Sequence, residues 1–301
     1  MSGTIFYTDA EDAWVNNSRT QFFKSVSIQH QPPNDKIRLP IAIGLNKLDI
    51  GRGAPDYPHM RIKAYVNNAG PNRKNDGIEA DVHIDTWLNT RLIAAGCSWL
   101  DLTNIDAGPL SGLQQGIVLT GQTYADKEMK VAFPEQSGQE GGFSAPPSVI
   151  VWLQYVDVEE GSDTRFEASV TNVTKHDFTL QMRTWGTFIR EAVVQWIAVP
   201  SDNKTVCVGQ FTPQGNPSPV GDGLIHKSGY IQQFDFYNTF NQAPRVLVGL
   251  NKIDVKKGAN LRVEATTRKV TNAGFEMVIN SWHETEILGG GAAFIAVPSD
   301  I

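Results

Sequence analysis

The chain has 301 residues, with 26 Lys and Arg set against 32 Asp and Glu, for a formal net charge of −6. That balance excludes the basic face that nucleic acid demands and suits an anionic membrane surface no better, and no apolar run approaches the ~20 residues needed to cross a bilayer. Charged residues are only 19% of the chain while Gly (27) and Pro (16) are plentiful, a mix that suits turn-rich β structure.

Taken in order, the predicted elements repeat. The first repeat opens on an edge strand, Thr4 to Tyr7, and then alternates Ile37, Leu39, Ile41, Ile43 and Leu45. Leu45-Asn46-Lys47-Leu48-Asp49 leads into a polar turn, an Arg-led strand (Arg61-Ile62-Lys63-Ala64), a strand ending on Asp85-Thr86-Trp87, and a last strand with Trp99. The same series returns from Gly116 to Thr120: Val149, Val151 and Leu153 alternate, then come Leu153-Gln154-Tyr155-Val156-Asp157 and Arg165-Phe166-Glu167-Ala168. A turn from Asn172 to Asp177 follows, with Phe178, Leu180 and Met182 facing inward, Arg183-Thr184-Trp185, and Trp196 in the last strand. The third round starts at Thr205 to Gln210 and alternates Val246, Val248 and Leu250. Leu250-Asn251-Lys252-Ile253-Asp254, Arg262-Val263-Glu264-Ala265, inward Phe275, Met277 and Ile279, Asn280-Ser281-Trp282 and Phe294 complete it.

The Trp positions lie 98 (185 − 87) and 97 (282 − 185) residues apart, and Ala-Val-Pro-Ser-Asp recurs at 198–202 and 296–300. One small domain is therefore written three times, at 1–103, 114–202 and 203–301. Each offers about six strands and no helical period, which predicts an all-β chain of three tandem six-stranded antiparallel sandwiches. The first repeat carries insertions in Gly51 to His59 and Asn67 to Gly77, which loops absorb at small entropic cost. The start, Met1 to Tyr7, has no basic region and no long apolar stretch, so a cytoplasmic or non-classically released protein is expected. Cys97 and Cys207 fall in different repeats and are expected as free buried thiols. The Asn-x-Ser/Thr triplets at Asn16, Asn172 and Asn203 are read as fortuitous.

The chemistry that recurs is an Arg at the start of one strand and a Trp at the end of the next. Antiparallel pairing should bring the two together at one rim of the sandwich. Arg supplies a planar fork of donors and Trp a flat apolar face, and a sugar ring has the matching hydroxyl edge and C–H surface. Asp49, Asp157 and Asp254, just past a buried strand, are expected to bond their own turns.

Taken together, L-x-x-(L/I/V)-D, R-(I/V/F)-x-A, (T/S)-W-x-(N/E)-T and (W/F)-(I/L)-A resemble the H-type lectin family, the N-acetylgalactosamine-binding fold of snail agglutinin and of discoidin C-terminal domains. The resemblance covers the chain three times over and is closest in the third repeat, at Asn260-Leu261-Arg262-Val263 and Ser281-Trp282-His283-Glu284-Thr285. It implies a trimeric assembly, here within one chain as repeats packed with pseudo-threefold symmetry and open to further self-association, with sugar sites at rims between neighbours. By position it implies that Arg262 bonds sugar hydroxyls, Trp282 packs on the ring or its acetamido methyl, and His283 adds a polar contact. The equivalents are Arg165, Trp185 and Gly186 in the second repeat, and Arg61, Trp87 and Leu88 in the first. An Asp that the family draws from the loop before the second strand has Asp222 and Gly223 as candidates in the third repeat and Asn17 in the first. The family aromatic six residues past the Trp is replaced by Leu288, Glu191 and Ile93.

The implied function is a lectin that binds terminal N-acetylgalactosamine or galactose on glycoproteins or glycolipids multivalently, without catalysis, cofactor, nucleic acid or membrane insertion. A protein-interaction or fibre element on the same scaffold is the alternative, with the Arg/Trp pairs as interface anchors. A glycosidase would need two facing carboxylates. The acidic run Asp157-Val158-Glu159-Glu160 answers to Asp254-Val255-Lys256-Lys257 in the third repeat, so it is expected to be a solvated turn. The six histidines (His30, His59, His83, His176, His226 and His283) share no repeat position and no metal-ligand spacing.

Overall fold

A computed structural model describes residues 3–8, 21–28, 41–51, 59–71, 78–88, 90–102, 112–134, 142–159, 163–220 and 227–299. The first repeat contributes β1 (Gly3–Tyr7), β2 (Gln21–Ile28), β3 (Ile41–Gly51), β4 (His59–Pro71), β5 (Ile78–Asp85) and β6 (Arg91–Asp101). The second contributes β7 (Gln114–Leu119), β8 (Lys127–Ala132), β9 (Ser148–Glu159), β10 (Thr164–Thr171), β11 (Asp177–Thr184) and β12 (Ile189–Val199). The third contributes β13 (Cys207–Phe211), the two-residue β14 (Ser218–Pro219), β15 (Lys227–Asp235), β16 (Arg245–Val255), β17 (Leu261–Arg268), β18 (Gly274–Trp282) and β19 (Ile287–Val297). The expected all-β architecture holds, and Ile37 and Leu39 lie outside the described residues.

Period-2 alternation explains the strands. Phe178, Leu180 and Met182 on β11 are fully buried, as are Phe275, Met277 and Ile279 on β18, and Trp99, Trp196 and Phe294 close the same core. Cys97 and Cys207 are free and buried, as expected. One irregularity recurs. On β3 the buried set runs Ile41, Ile43, Leu45 and then Leu48, Ile50, which slips by one residue. The slip is absorbed by a β-bulge at Asn46, and the same bulge occurs at Gln154 on β9 and Asn251 on β16. An extra residue re-aims the strand, so Lys47 and Asp49 face outward while Leu48 and Ile50 stay in the core.

The sheets do not stop at the repeat boundaries. One seven-stranded sheet runs β1-β6-β3-β17-β18-β15-β14, and two six-stranded sheets run β13-β19-β16-β10-β11-β8 and β2-β5-β4-β9-β12-β7. Each sheet joins half of one sandwich to half of the next, through β3 with β17, β16 with β10 and β9 with β4. The three repeats therefore close a cycle in which potential edge strands are paired.

A second apolar cluster lies where β3, β9 and β16 meet, separate from the sandwich interiors, and includes Ala42, Leu100, Ile150, Ile197, Leu247 and Ile295. Its centre is asymmetric. Gly44, Trp152 and Gly249 occupy the same position in the three repeats, and Trp152 is fully buried with its indole N–H donating to Ala293 O at 3.0 Å. A Cβ on either Gly44 or Gly249 would come within 2.4 Å of Trp152. One large side chain thus fills the space that two glycines leave open. Gly249→Ala should overpack this centre and cost about 1–3 kcal/mol, whereas Trp152→Ala should leave a void and cost about 3–5 kcal/mol. Denaturant unfolding of the single and double variants checks this: the double variant should lose less than the sum of the two, and strict additivity would refute direct packing between the sites.

Candidate functional site

Trp282 ends β18, while Trp185 lies just past β11 and Trp87 just past β5, and each is followed by a residue in the left-handed region: Leu88 at φ 56°, Gly186 at 94° and His283 at 55°. Non-glycine residues seldom adopt this conformation, and the turn is pinned from outside by threonines. Thr86 donates to Arg61 O at 2.7 Å and Thr184 to Arg165 O at 3.0 Å. The hydroxyl of Thr90 accepts from Arg61 N–H at 3.1 Å, that of Thr187 from Arg165 N–H at 2.7 Å, and Thr285 donates to Asn260 O at 2.7 Å. Arg and Trp are thereby held side by side at the rim, as the antiparallel pairing predicted. Trp87, Trp185 and Trp282 are all only half-buried, and Leu88, Gly186 and His283 are exposed.

The neighbouring repeat completes each rim, in one register used three times. Arg262 faces Asp49 and Glu264 faces Lys47; Arg165 faces Asp254 and Glu167 faces Lys252; Arg61 faces Asp157 and Lys63 faces Tyr155. Arg262 Nε lies 3.3 Å from Asp49, Arg165 Nε donates to Asp254 at 3.2 Å, and Arg61 Nε lies 3.4 Å from Asp157. The expectation that these aspartates bond their own turns is corrected: they bind the arginine of the next repeat across a sheet junction. Likewise Asp157 and Glu159 lie within β9 rather than in a solvated turn, and Glu159 pairs with Arg190. Glu160 lies outside the described residues.

A second layer covers the indoles. Lys47 Nζ stands 5.3 Å from the Trp282 ring and 3.6 Å from Glu264, and Lys252 Nζ stands 5.4 Å from the Trp185 ring and 3.5 Å from Glu167. At the third rim Tyr155 replaces the lysine and stacks on Trp87 at 5.2 Å, with Lys63 where the other rims have glutamate. The two changes are coupled, because a lysine at both positions would put like charges directly opposite. These neighbours were not singled out as site residues, although Lys47, Tyr155 and Lys252 stand at one place in the repeated L-x-x-x-D landmark. Among the residues that were, Arg262, Trp282 and His283 converge on one rim, Arg165, Trp185 and Gly186 on a second, and Arg61, Trp87 and Leu88 on a third. Asp222, Gly223 and Asn17 lie outside the described residues.

The rims differ in what they leave open. Arg262 also meets Glu284 at 3.3 Å, and the Glu284 side chain is 81% exposed, so a ligand can displace it without unburying anything. Trp87 is covered by an aromatic ring, so the Arg61 rim is the most filled. Among the described residues no group of three His, Cys, Asp or Glu side chains is placed to hold a metal ion.

Two segments of the chain, 140–199 and 231–297, match the H-type lectin domain. The chain carries sequence similar to the H-type lectin domain in its second and third repeats. No curated protein sequence matches it. Among solved structures, the recombinant discoidin II of Dictyostelium discoideum is similar over 92% of this chain and 95% of that one, at 10% identity and a TM-score of 0.28, too low to carry any inference. Both matched segments run through the Trp and its turn, so Trp185 and Trp282 lie on sequence that matches the H-type lectin domain.

Burial, outweighing the guanidinium beside each, holds Asp49 and Asp254 above the ordinary carboxylate range. The folded protein therefore keeps these protons to higher pH than the unfolded chain does, and stability falls as pH rises through the interval between the two values. An Asp49→Asn, Asp254→Asn variant does not titrate there. Between about pH 7 and about pH 4, unfolding free energies should show the parent protein gaining on the variant as pH falls. A loss relative to the variant on acidification would contradict the dominance of burial.

Proposed function

We propose that this chain is an H-type lectin that binds terminal N-acetylgalactosamine or galactose residues at the rims where repeats meet. The observation that carries the proposal is the composite rim: a half-buried Trp face, an Arg fork held rigid by the next repeat's Asp, and exposed polar groups beside them. A galactose-type ring has an apolar C–H patch for the indole and hydroxyls for the guanidinium. Holding Arg262 with Asp49 preorganises the donor, so little freedom is lost when a hydroxyl arrives.

The Arg262 rim is the best equipped, with His283 and Glu284 at its mouth. The Arg165 rim has Gly186 in place of the histidine and offers fewer polar contacts. The Arg61 rim, with Leu88 outside and Tyr155 on its indole, is the poorest. A single site is weak on this reading, with Kd on the order of millimolar to tens of micromolar. Several sites in one rigid cycle raise the avidity for clustered glycans.

A glycan-array screen of the labelled protein tests this, repeated with Trp282→Ala and His283→Ala. Terminal N-acetylgalactosamine or galactose structures should be retained and displaced by the free sugar. Trp282→Ala should weaken binding about tenfold or more, equivalent to about 1.4 kcal/mol, and His283→Ala should weaken it less. Binding that free N-acetylgalactosamine and galactose both fail to displace would sink the specificity. Failure to bind any glycan would favour the interaction-module alternative.

A further inference from the structure

The third repeat carries a cleft that belongs to none of the rims. It has a volume of about 500 Å³ and opens between the end of β13, the segment 212–220 and the outer part of β15. That size falls within the range of small-molecule sites. It lies where both sheets of this sandwich end, since β13 and β14 are terminal strands of their sheets. β14 pairs only Ser218 with Gly229 and Pro219 with Ser228, and Pro219 has no N–H to extend the ladder. Among the described residues β15 is therefore the edge of its sheet from Tyr230 onward, and it forms one wall of the cleft.

Among the described residues the lining is uncharged. Gln214, Asn216 and Gln232 supply amides, Thr212 and Ser218 hydroxyls, and Phe211, Tyr230, Ile231 and the prolines apolar surface. Asn216 and Gln232 are exposed, whereas Tyr230 is buried and donates its hydroxyl to Leu288 O at 3.2 Å, which fixes the floor. The corresponding face of the second repeat is different. There β8 follows the short segment 120–126 and is charged, with Lys130 bound to Asp177 at 2.9 Å.

The cleft adjoins the best-equipped rim. In the β15–β18 pairing Lys227 faces Trp282 and Gly229 faces Asn280. Two residues along a strand span about 7 Å, roughly the step from one sugar to the next. Between rim and cleft stands Asn280, 3% exposed, whose side-chain oxygen has no hydrogen-bond partner. A buried acceptor left open in this way is costly unless something completes it.

We propose that this cleft is a subterminal-sugar subsite, taking the neutral hexose units that follow the terminal sugar on Trp282. It rests on the rim reading given above and adds the substrate class: an uncharged, extended glycan rather than a monosaccharide or a sialylated or sulfated chain. Amides and hydroxyls match ring hydroxyls in both directions, Ile231 and Pro219 match the C–H faces, and the described lining gives an acidic sugar no charge to pair with.

Calorimetric titration with free N-acetylgalactosamine and with a neutral trisaccharide ending in that sugar provides the test. The trisaccharide should bind about tenfold more tightly than the monosaccharide. In Asn216→Ala and Gln232→Ala that advantage should shrink severalfold, with monosaccharide affinity unchanged. Both substitutions are at exposed positions, and circular dichroism and unfolding checks that the fold is intact. Equal affinity for the two sugars in the parent protein, or an advantage that survives both substitutions, overturns the subsite. Failure of the monosaccharide to bind, or binding that Trp282→Ala leaves intact, instead overturns the rim reading and the subsite that depends on it.

Discussion

The whole assembly hangs on one kind of junction, a backbone ladder between an Arg-led strand of one repeat and an Asp-ending strand of the next. An isolated sandwich of this size would bury only about two-thirds of its unfolded surface and would leave β4, β10 and β17 as open edges. Pairing each with β9, β16 and β3 removes those edges and continues the core from one repeat into the next. The Arg–Asp pair sits across that ladder at distances of 3.2 to 3.4 Å in all three places. As a source of stability it is modest, since burial pushes Asp49 and Asp254 above the usual carboxylate range in spite of the arginine. Its effect is on register: only one alignment of the two strands brings both charges together, and that alignment also sets Lys or Tyr over the neighbouring Trp.

Covalent linkage allows what a trimer of identical chains would not. At the centre of the cycle a single Trp152 occupies room provided by Gly44 and Gly249. Three copies of the second repeat would crowd three indoles into that space, and three copies of the first or third would leave it empty. The repeats have diverged so that each fits the other two. The same divergence appears at the rims, where Lys47 with Glu264 and Lys252 with Glu167 give way to Tyr155 with Lys63. Unequal rims follow from this as a physical consequence, because each is built from two different repeats.

The candidate site is a by-product of the junction. The Trp cannot retreat into the core, because the following residue takes a left-handed turn at the strand end and threonine hydroxyls lock that turn to the Arg strand. The Arg cannot swing freely, because the neighbouring Asp holds Nε. Together they form a rigid apolar and hydrogen-bonding edge. Such preorganisation suits ligands that offer little binding energy of their own, as single sugars do.

The strands, their inward faces and the threefold repetition were legible in the amino-acid order, because they depend on local alternation: Phe178, Leu180 and Met182, or Phe275, Met277 and Ile279, place themselves by period two. The Arg–Trp rim was legible for the same reason, as the start of one strand lies beside the end of its hairpin partner. The role of Asp49 was not, since its partner Arg262 is remote in sequence and reaches it only across a junction between repeats. Nor were the bulge at Asn46, the choice of Trp152 to fill the centre, or the cleft beside β15. Local sequence determines which residues form a strand and which face turns inward. Which edge that strand meets, and what its outward residues then touch, is decided only when all three repeats close on one another.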